Sequence, residues 1–400
     1  MVGLQGSGCN YSGEVVCLKR IYYACVMKIQ TSWLDGPLLP NISLNEAIGC
    51  EQIALVSQND ERLKKIFRHR PNLEIFLNSF TDQFGVSIKP SLIIFRCDNL
   101  SSALSFEAIA AFRNILVSCA VPIARAMHIR ESGSGIKFAE TFEFYPWMLS
   151  KDGNSLVGES TVFIGHHSVE RIKGQNNPIQ PNITRGAHAF DIELLRFLLE
   201  AWQSYFLHHV DSHKNIALFR SLNMAHQASL MPSTGLSSEM YDYGRLISLW
   251  VSAIEILLHP GGDKTGSRWT IYKVLKEAEW LDQTLAEEAH ESGNSADAKN
   301  TKGKLNVAGS LYGEMYEARN KFLHGNRIDL NDLKCKRSEV FRFDVAPILY
   351  SLLLRYYLGV IYPDDLIDDI ETDVSGYLNK YVFYQKQLLL EHAVRGAFCL

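Results

Sequence analysis

A chain of 400 residues is too long for one ordinary small domain, and its 46% apolar content is enough to fill sizeable cores, which excludes a disordered or low-complexity protein. The formal net charge of −4 excludes a uniformly basic nucleic-acid coat but leaves room for a local basic patch. Eight cysteines with no CxxC spacing exclude a disulfide scaffold or zinc ribbon and read as reduced thiols of a cytoplasmic protein.

Residues 1–26 are glycine-rich, hold three of the cysteines and show no clear period. Lys19 and Arg20 interrupt their apolar run and no cleavage site of small residues follows, so no signal peptide is expected there. Met27 opens "MKIQTSWLDGPLL", an ordinary protein start, and 1–26 are expected to be an extension before it. "GLQGSG" (3–8) has no strand before it and is not a phosphate loop.

"SLIIFRC" (91–97) predicts a strand. "SFEAIAAFRNILVSCAVPIARAM" (105–127) predicts a helix that Pro122 kinks or ends. "ESGSG" (131–135) is a loop, while "KFAETFEFYPWML" (137–149) and "STVFIGHH" (160–167) predict further strands. "KGQNNPIQPNITRG" (173–186) is the clearest linker. Residues 1–180 are therefore expected to be an α+β domain, with a sensor or regulatory role.

Beyond the linker the pattern turns helical. Ile192, Leu195, Phe197, Leu198 and Trp202 fall at helical spacing within 189–210, and 215–231 predicts a second helix. "GRLISLWVSAIEILLHPGG" (244–262) is apolar nearly all round and stopped by Pro260 and two glycines, so it belongs in the middle of a bundle. Its Glu255 then needs a partner. A helix from Ser267, a polar loop at 290–304, a helix from Val307 to His324 and an apolar helix at 345–362 follow. The last carries Arg355 near its middle, which suits a packed core helix rather than a membrane span. Residues 187–400 are expected to form an all-α bundle of about six helices.

In "VAGSLYGEMYEARNKFLHG", Leu311, Met315, Ala318 and Phe322 make an apolar stripe, and Gly325 is placed to terminate the helix. Arg319 and His324 stand one and a half turns apart, about 140° around the axis, so a long arginine can still reach toward the imidazole. Histidine can remove or return a proton and arginine can neutralise charge on a phosphorane. Attack by the 2′-hydroxyl of RNA on its own phosphodiester needs those two groups and no metal.

"RNKFLHG" resembles the RxxxxH motif of the HEPN superfamily, with Arg319, Asn320 and His324 on its characteristic positions. "LYGEMYEA" before it and "LISLWVSAIEILL" upstream, with Glu255, resemble the Apea-type branch. The likeness covers roughly residues 190–385; nothing before 180 matches it. It implies a helical bundle that dimerises to bring two motifs together. It also implies metal-independent endoribonuclease activity without a cofactor, in antiphage defence and abortive infection or as a toxin. An antitoxin or a phage-derived trigger would be a partner. Arg319, Asn320, His324 and Glu255 are then the expected catalytic set.

From Thr301 to Phe343 nine Lys or Arg stand against five Asp or Glu, and Lys321, Arg327, Lys334, Lys336 and Arg337 are expected to line an RNA phosphate track. The competing reading is a non-catalytic HEPN-type module that binds RNA or nucleotide or serves dimerisation, in which Arg319 only pairs with Glu255. His209 and His213 have a spacing that can ligate zinc on one helix face, but no HExxH pattern or cysteine pair accompanies them, and no metal site is expected. His166 and His167 read as structural. Neither GxSxG nor a Walker sequence occurs.

Overall fold

The aliphatic runs of the first hundred residues become neighbours in one sheet. The computed structural model describes residues 33–39, 44, 46–79, 81–82, 87, 89–96, 104–130, 147–149, 155–158, 165–167, 175–176, 190–230, 240–261, 268–277, 280–287, 290–291, 304–360 and 374–398. β1 (Trp33–Leu39), β2 (Ile48–Gly49), β3 (Ile53–Val56) and, after two helices and the short β4 (Thr81–Asp82), β5 (Ser91–Arg96) are the first strands. Four of them pair antiparallel in the order β1-β5-β3-β2.

The helices α1 (Glu61–His69) and α2 (Pro71–Asn78) supply Leu63, Ile66, Leu73, Phe76 and Leu77 to a core shared with Ala54, Val56, Leu92 and Ile94 of the strands. Alternation sends Ile53, Leu55, Ile93 and Phe95 to the other face, where they are buried too. Such two-sided burial explains why these strands read as continuous apolar runs. Asp60 caps α1 by accepting from the Arg62 N–H at 2.8 Å, and Pro71 opens α2 at a position where its missing N–H costs nothing.

A second antiparallel sheet joins β6 (Trp147–Leu149), β7 (Ser155–Gly158) and β8 (Gly165–His167). The expected strands at 137–149 and 160–167 are thus seen at their C-terminal ends; their remainder, the 131–135 loop and residues 1–26 lie outside the described residues. Within the expected linker, β9 (Gln175–Asn176) pairs parallel with β4.

The helical part comprises α3 (Phe106–Arg130), α4 (Ile192–Trp202), α5 (His213–Leu230), α6 (Met240–Leu257), α7 (Arg268–Glu277) and the one-turn α8 (Gln283–Ala286). The paired β10 (His290–Glu291) and β11 (Lys304–Leu305) lead to α9 (Val307–Leu323), α10 (Arg342–Leu358) and α11 (Val374–Phe398). The chain divides into two compact units: Met1–Ser105 with Phe144–Pro178, and Phe106–Glu143 with Ile179–Leu400. This differs from a single cut at residue 180, because α3 belongs with the helices that follow it.

The cause is the composition of α3. Ala111, Phe112, Leu116, Val117, Ala120, Val121 and Ala124 fall around its whole circumference and are all buried. A helix apolar all round must be surrounded, and α4, α5, α10 and α11 pack against it. By length and composition it could cross a membrane, yet 83% of its most apolar window is buried inside the protein. The helix also runs past Pro122 to Arg130 rather than ending there, so packing outweighs the one backbone hydrogen bond that proline removes.

Polar groups pin the bundle at fixed points. The Trp202 indole donates to the Ala108 carbonyl at 2.8 Å. The Tyr350 hydroxyl donates to Ser221 Oγ at 2.7 Å, which donates to the Ala253 carbonyl at 2.6 Å, tying α10, α5 and α6. Arg125 pairs with Asp344 at 3.1 Å and Arg355 with Asp191, both pairs buried.

Candidate functional site

The central feature is the contact between α6 and α9. Asn306 caps α9 by accepting from the Gly309 N–H at 2.9 Å, while its side-chain amide donates to the Leu275 carbonyl of α7 at 2.7 Å. Leu311, Met315 and Ala318 are buried, as their spacing requires, and Phe322 completes the stripe half-buried beside Tyr241. The helix ends on Gly325 at φ 70°, with Gly325 N–H donating to the Phe322 carbonyl at 3.1 Å and Asn326 N–H to the Lys321 carbonyl at 3.0 Å. These two bonds form a Schellman motif.

Arg319 points across to α6. Its Nη2 lies 3.5 Å from Glu255 Oε2, and its Nη1 lies 3.4 Å from the Asn320 amide oxygen. Both contacts are long, and Arg319 Nε is buried with no hydrogen-bond partner. The side chains of Arg319 and Glu255 are 22% and 33% exposed, so solvent and solutes can reach the pair. Burial raises the Glu255 carboxyl above the ordinary range, while the Arg319 and Arg268 guanidiniums pull it down.

Two aromatic residues of the same helix line this pair. Tyr316 carries the Arg268 guanidinium 4.4 Å and the Arg319 guanidinium 5.5 Å from its ring centroid. Tyr312 packs edge-on to Tyr272 at 5.8 Å, and its buried hydroxyl has no hydrogen-bond partner. Burial pushes that phenol well above the ordinary range, and the nearby Glu255 charge acts in the same direction.

His324 is the C-cap residue, just past the last helical residue Leu323. Its backbone N–H donates to the Asn320 carbonyl at 3.0 Å, and its side chain is exposed. The fold therefore gathers Arg319, Asn320 and Glu255 but ties the His324 imidazole to none of them by a hydrogen bond.

The expected phosphate track is largely paired with acids. Lys321 meets Asp332 at 2.6 Å, Lys334 pairs with Glu339, and Lys336 lies 3.5 Å from Glu317. Arg337 lies over the Phe398 ring at 4.7 Å, and Arg327 is exposed. Arg342 is buried against Glu314 at 3.3 Å.

His209 and His213 do not share a helix face. His213 opens α5, whereas His209 stands outside it at φ 53°, after a π turn at Gln203–Leu207. The His213 ring instead lies 6.3 Å from that of His259. Among the described residues no group of three His, Cys, Asp or Glu could hold a metal ion. Sequence reasoning missed Arg268, Tyr312 and Tyr316. The two tyrosines carried a signal, since they precede Arg319 by seven and three residues on one helix face. Arg268 carried none, because it arrives from another helix.

No family model matches the chain, and neither a curated protein nor a solved structure matches it.

Proposed function

We propose that the helical unit is a HEPN-type endoribonuclease that cleaves RNA without a metal, through attack of the 2′-hydroxyl on the adjacent phosphodiester. The observation that carries this reading is Arg319 held against Glu255 and Asn320 in a solvent-reachable position, on the same helix that is capped at its C-terminal end by an exposed histidine. Arg319 stabilises the charge that builds on the phosphorane, and His324 moves the proton. Glu255 and Asn320 orient the guanidinium. One histidine cannot conveniently be base and acid in the same turnover, so a second copy of the chain completes the site.

The α+β unit is the regulator in this reading. An antitoxin or phage-derived trigger is its natural partner, and antiphage defence or toxicity in the cytoplasm its setting. The test is to incubate purified protein with total RNA in excess chelator and map the cut ends. A 2′,3′-cyclic phosphate and a 5′-hydroxyl are expected, with loss of cutting in Arg319→Ala and His324→Ala. Intact RNA, or cutting that His324→Ala leaves at full rate, would overturn it.

A second reading is supported by the same salt bridge. Arg319 is committed to Glu255, and Lys321, Lys334 and Lys336 are each neutralised by an acid. A non-catalytic RNA-binding, nucleotide-binding or dimerisation module would show the same pairing, and uncut but bound RNA in the test above selects it.

A further inference from the structure

Tyr241, the second residue of α6, is 71% exposed, more than any other large apolar side chain among the described residues. Its ring meets that of Phe322 edge-on, with the centroids 6.5 Å apart. Phe322 is seated against the bare backbone of Gly244, so this contact fixes where the tyrosine stands relative to α9. Phe322 lies between Arg319 and His324 in the chain, and the next residue, Leu323, is 55% exposed. A solvated aromatic face thus abuts the end of α9 that carries the motif.

The charges around this face leave little for phosphate to gain. Lys321 pairs with Asp332, and on α6 Arg245 lies 3.9 Å from Asp242. What remains open is the π-face of Tyr241, on which any base can stack. A second copy of the chain is the rival occupant. Asp242, Arg245, Lys321 and His324 all stand within one helical turn of the two rings, however, and the core of a protein interface is depleted of charge. A lone ring framed by charged and polar groups fits a flat, amphipathic base. A duplex keeps its bases inside its own stack, so the base must be unpaired.

We infer that Tyr241 is a stacking platform for an unpaired nucleobase of the RNA whose phosphodiester meets Arg319 and His324. This rests on RNA being what the helical unit acts on. It deepens that reading by giving a substrate contact to a base rather than to the acid-paired lysines. Tyr241 touches the substrate and takes no part in moving the proton.

The test uses the full native chain and a 2′-O-methyl oligouridylate, which lacks the attacking hydroxyl and stays whole, with one 2-aminopurine in its middle. Binding should quench the 2-aminopurine, as stacking does. Tyr241→Leu should abolish the quench and weaken binding about tenfold, while Tyr241→Phe keeps both. Leucine preserves an apolar contact but offers no ring, so an interface residue would tolerate it better than a stacking one. The slope of log K against log salt should stay the same, because no phosphate contact is lost. With an abasic site in place of the 2-aminopurine, the penalty of Tyr241→Leu should largely vanish.

Unchanged affinity in Tyr241→Leu, an unquenched probe, a shallower salt slope or a native chain that leaves the oligonucleotide unbound overturns the inference. So does sedimentation showing that Tyr241→Leu splits a dimer, which would give the ring to a second copy. Tyr241-dependent stacking by a chain that leaves unmodified RNA uncut would sink the nuclease reading alone. Cutting of unmodified RNA at the native rate by Tyr241→Leu would sink this inference alone.

Discussion

Phe322 of α9 lies so close against Gly244 of α6 that a methyl group at 244 would fall 2.1 Å from the ring's Cδ2. Phe322 sits between Arg319 and His324 in sequence, so the glycine sets how near the end of the motif helix comes to α6. Gly244→Ala must push the ring aside, which is expected to cost about 1–3 kcal/mol. Urea unfolding measures the loss, and RNA cleavage should fall with it because the end of α9 moves. An unchanged midpoint would mean that the ring swings away freely.

Glu255→Gln separates the two readings of the salt bridge. If the carboxylate orients Arg319, the variant should cleave RNA about 10- to 100-fold more slowly with little change in KM. The sign of the pH effect follows from the raised carboxyl. Only ionised Glu255 attracts Arg319, so orientation improves as pH rises through a value above the usual carboxylate range. An acid limb in the native pH–rate profile that persists in Glu255→Gln would assign that limb to another group.

His226 makes the bundle acid-sensitive. Burial first, and Arg113 second, lower its imidazole from 6.5 to about 3. The folded state therefore holds it neutral while the unfolded chain protonates it. Stability is fully present above pH 6.5 and is lost as pH falls toward 3. Between pH 7 and pH 5 the loss comes to about 2 kcal/mol. His226→Gln should flatten that slope when unfolding is compared at the two pH values. A parallel dependence in both proteins would place the acid sensitivity elsewhere.

Arg125 and Asp344 face each other at 3.1 Å with side chains 7% and 2% exposed. Arg125→Met takes the guanidinium away from a buried carboxylate and is expected to cost about 3–5 kcal/mol. The double change Arg125→Met with Asp344→Leu should recover most of that loss. Thermal melts of the four proteins close the cycle. A double variant no better than the single one would show that the pair's neighbours depend on its charge.

The motif helix was legible because everything that defines it is local. Its stripe of Leu311, Met315 and Ala318, its Gly325 terminator and its Arg319 are read within one stretch, and Glu255 announced itself as a carboxylate in an apolar helix. What escaped depended on distant partners. α11 buries Lys386, Gln387 and Glu391, three polar residues that break an apolar period. Glu391 belongs there because it accepts the Leu281 and Asp282 N–H groups at 3.0 and 2.7 Å, more than a hundred residues away. The lysines in and after α9 looked like a phosphate track because the turns beyond the helix, not a helical period, bring Asp332 to Lys321, Glu339 to Lys334 and Lys336 to Glu317. Of the two outcomes expected at Pro122, a kink or an end, the end does not occur, because four helices that lie later in the chain pack around α3.

The place of α3 in the chain has a consequence for how the protein is made. Its apolar circumference leaves the ribosome before any of its four partner helices exists. The hundred residues from Arg130 to Leu230 take on the order of 5–20 s to synthesise. Throughout that interval α3 has only α4 and α5, as they emerge, to cover it. Asp344, the counter-charge of Arg125, arrives later still, and α11 closes the ring last. The nascent chain thus carries an uncovered, sticky helix with a bare cation through most of its elongation, and the unit begun with α3 is completed only with the final residues of α11.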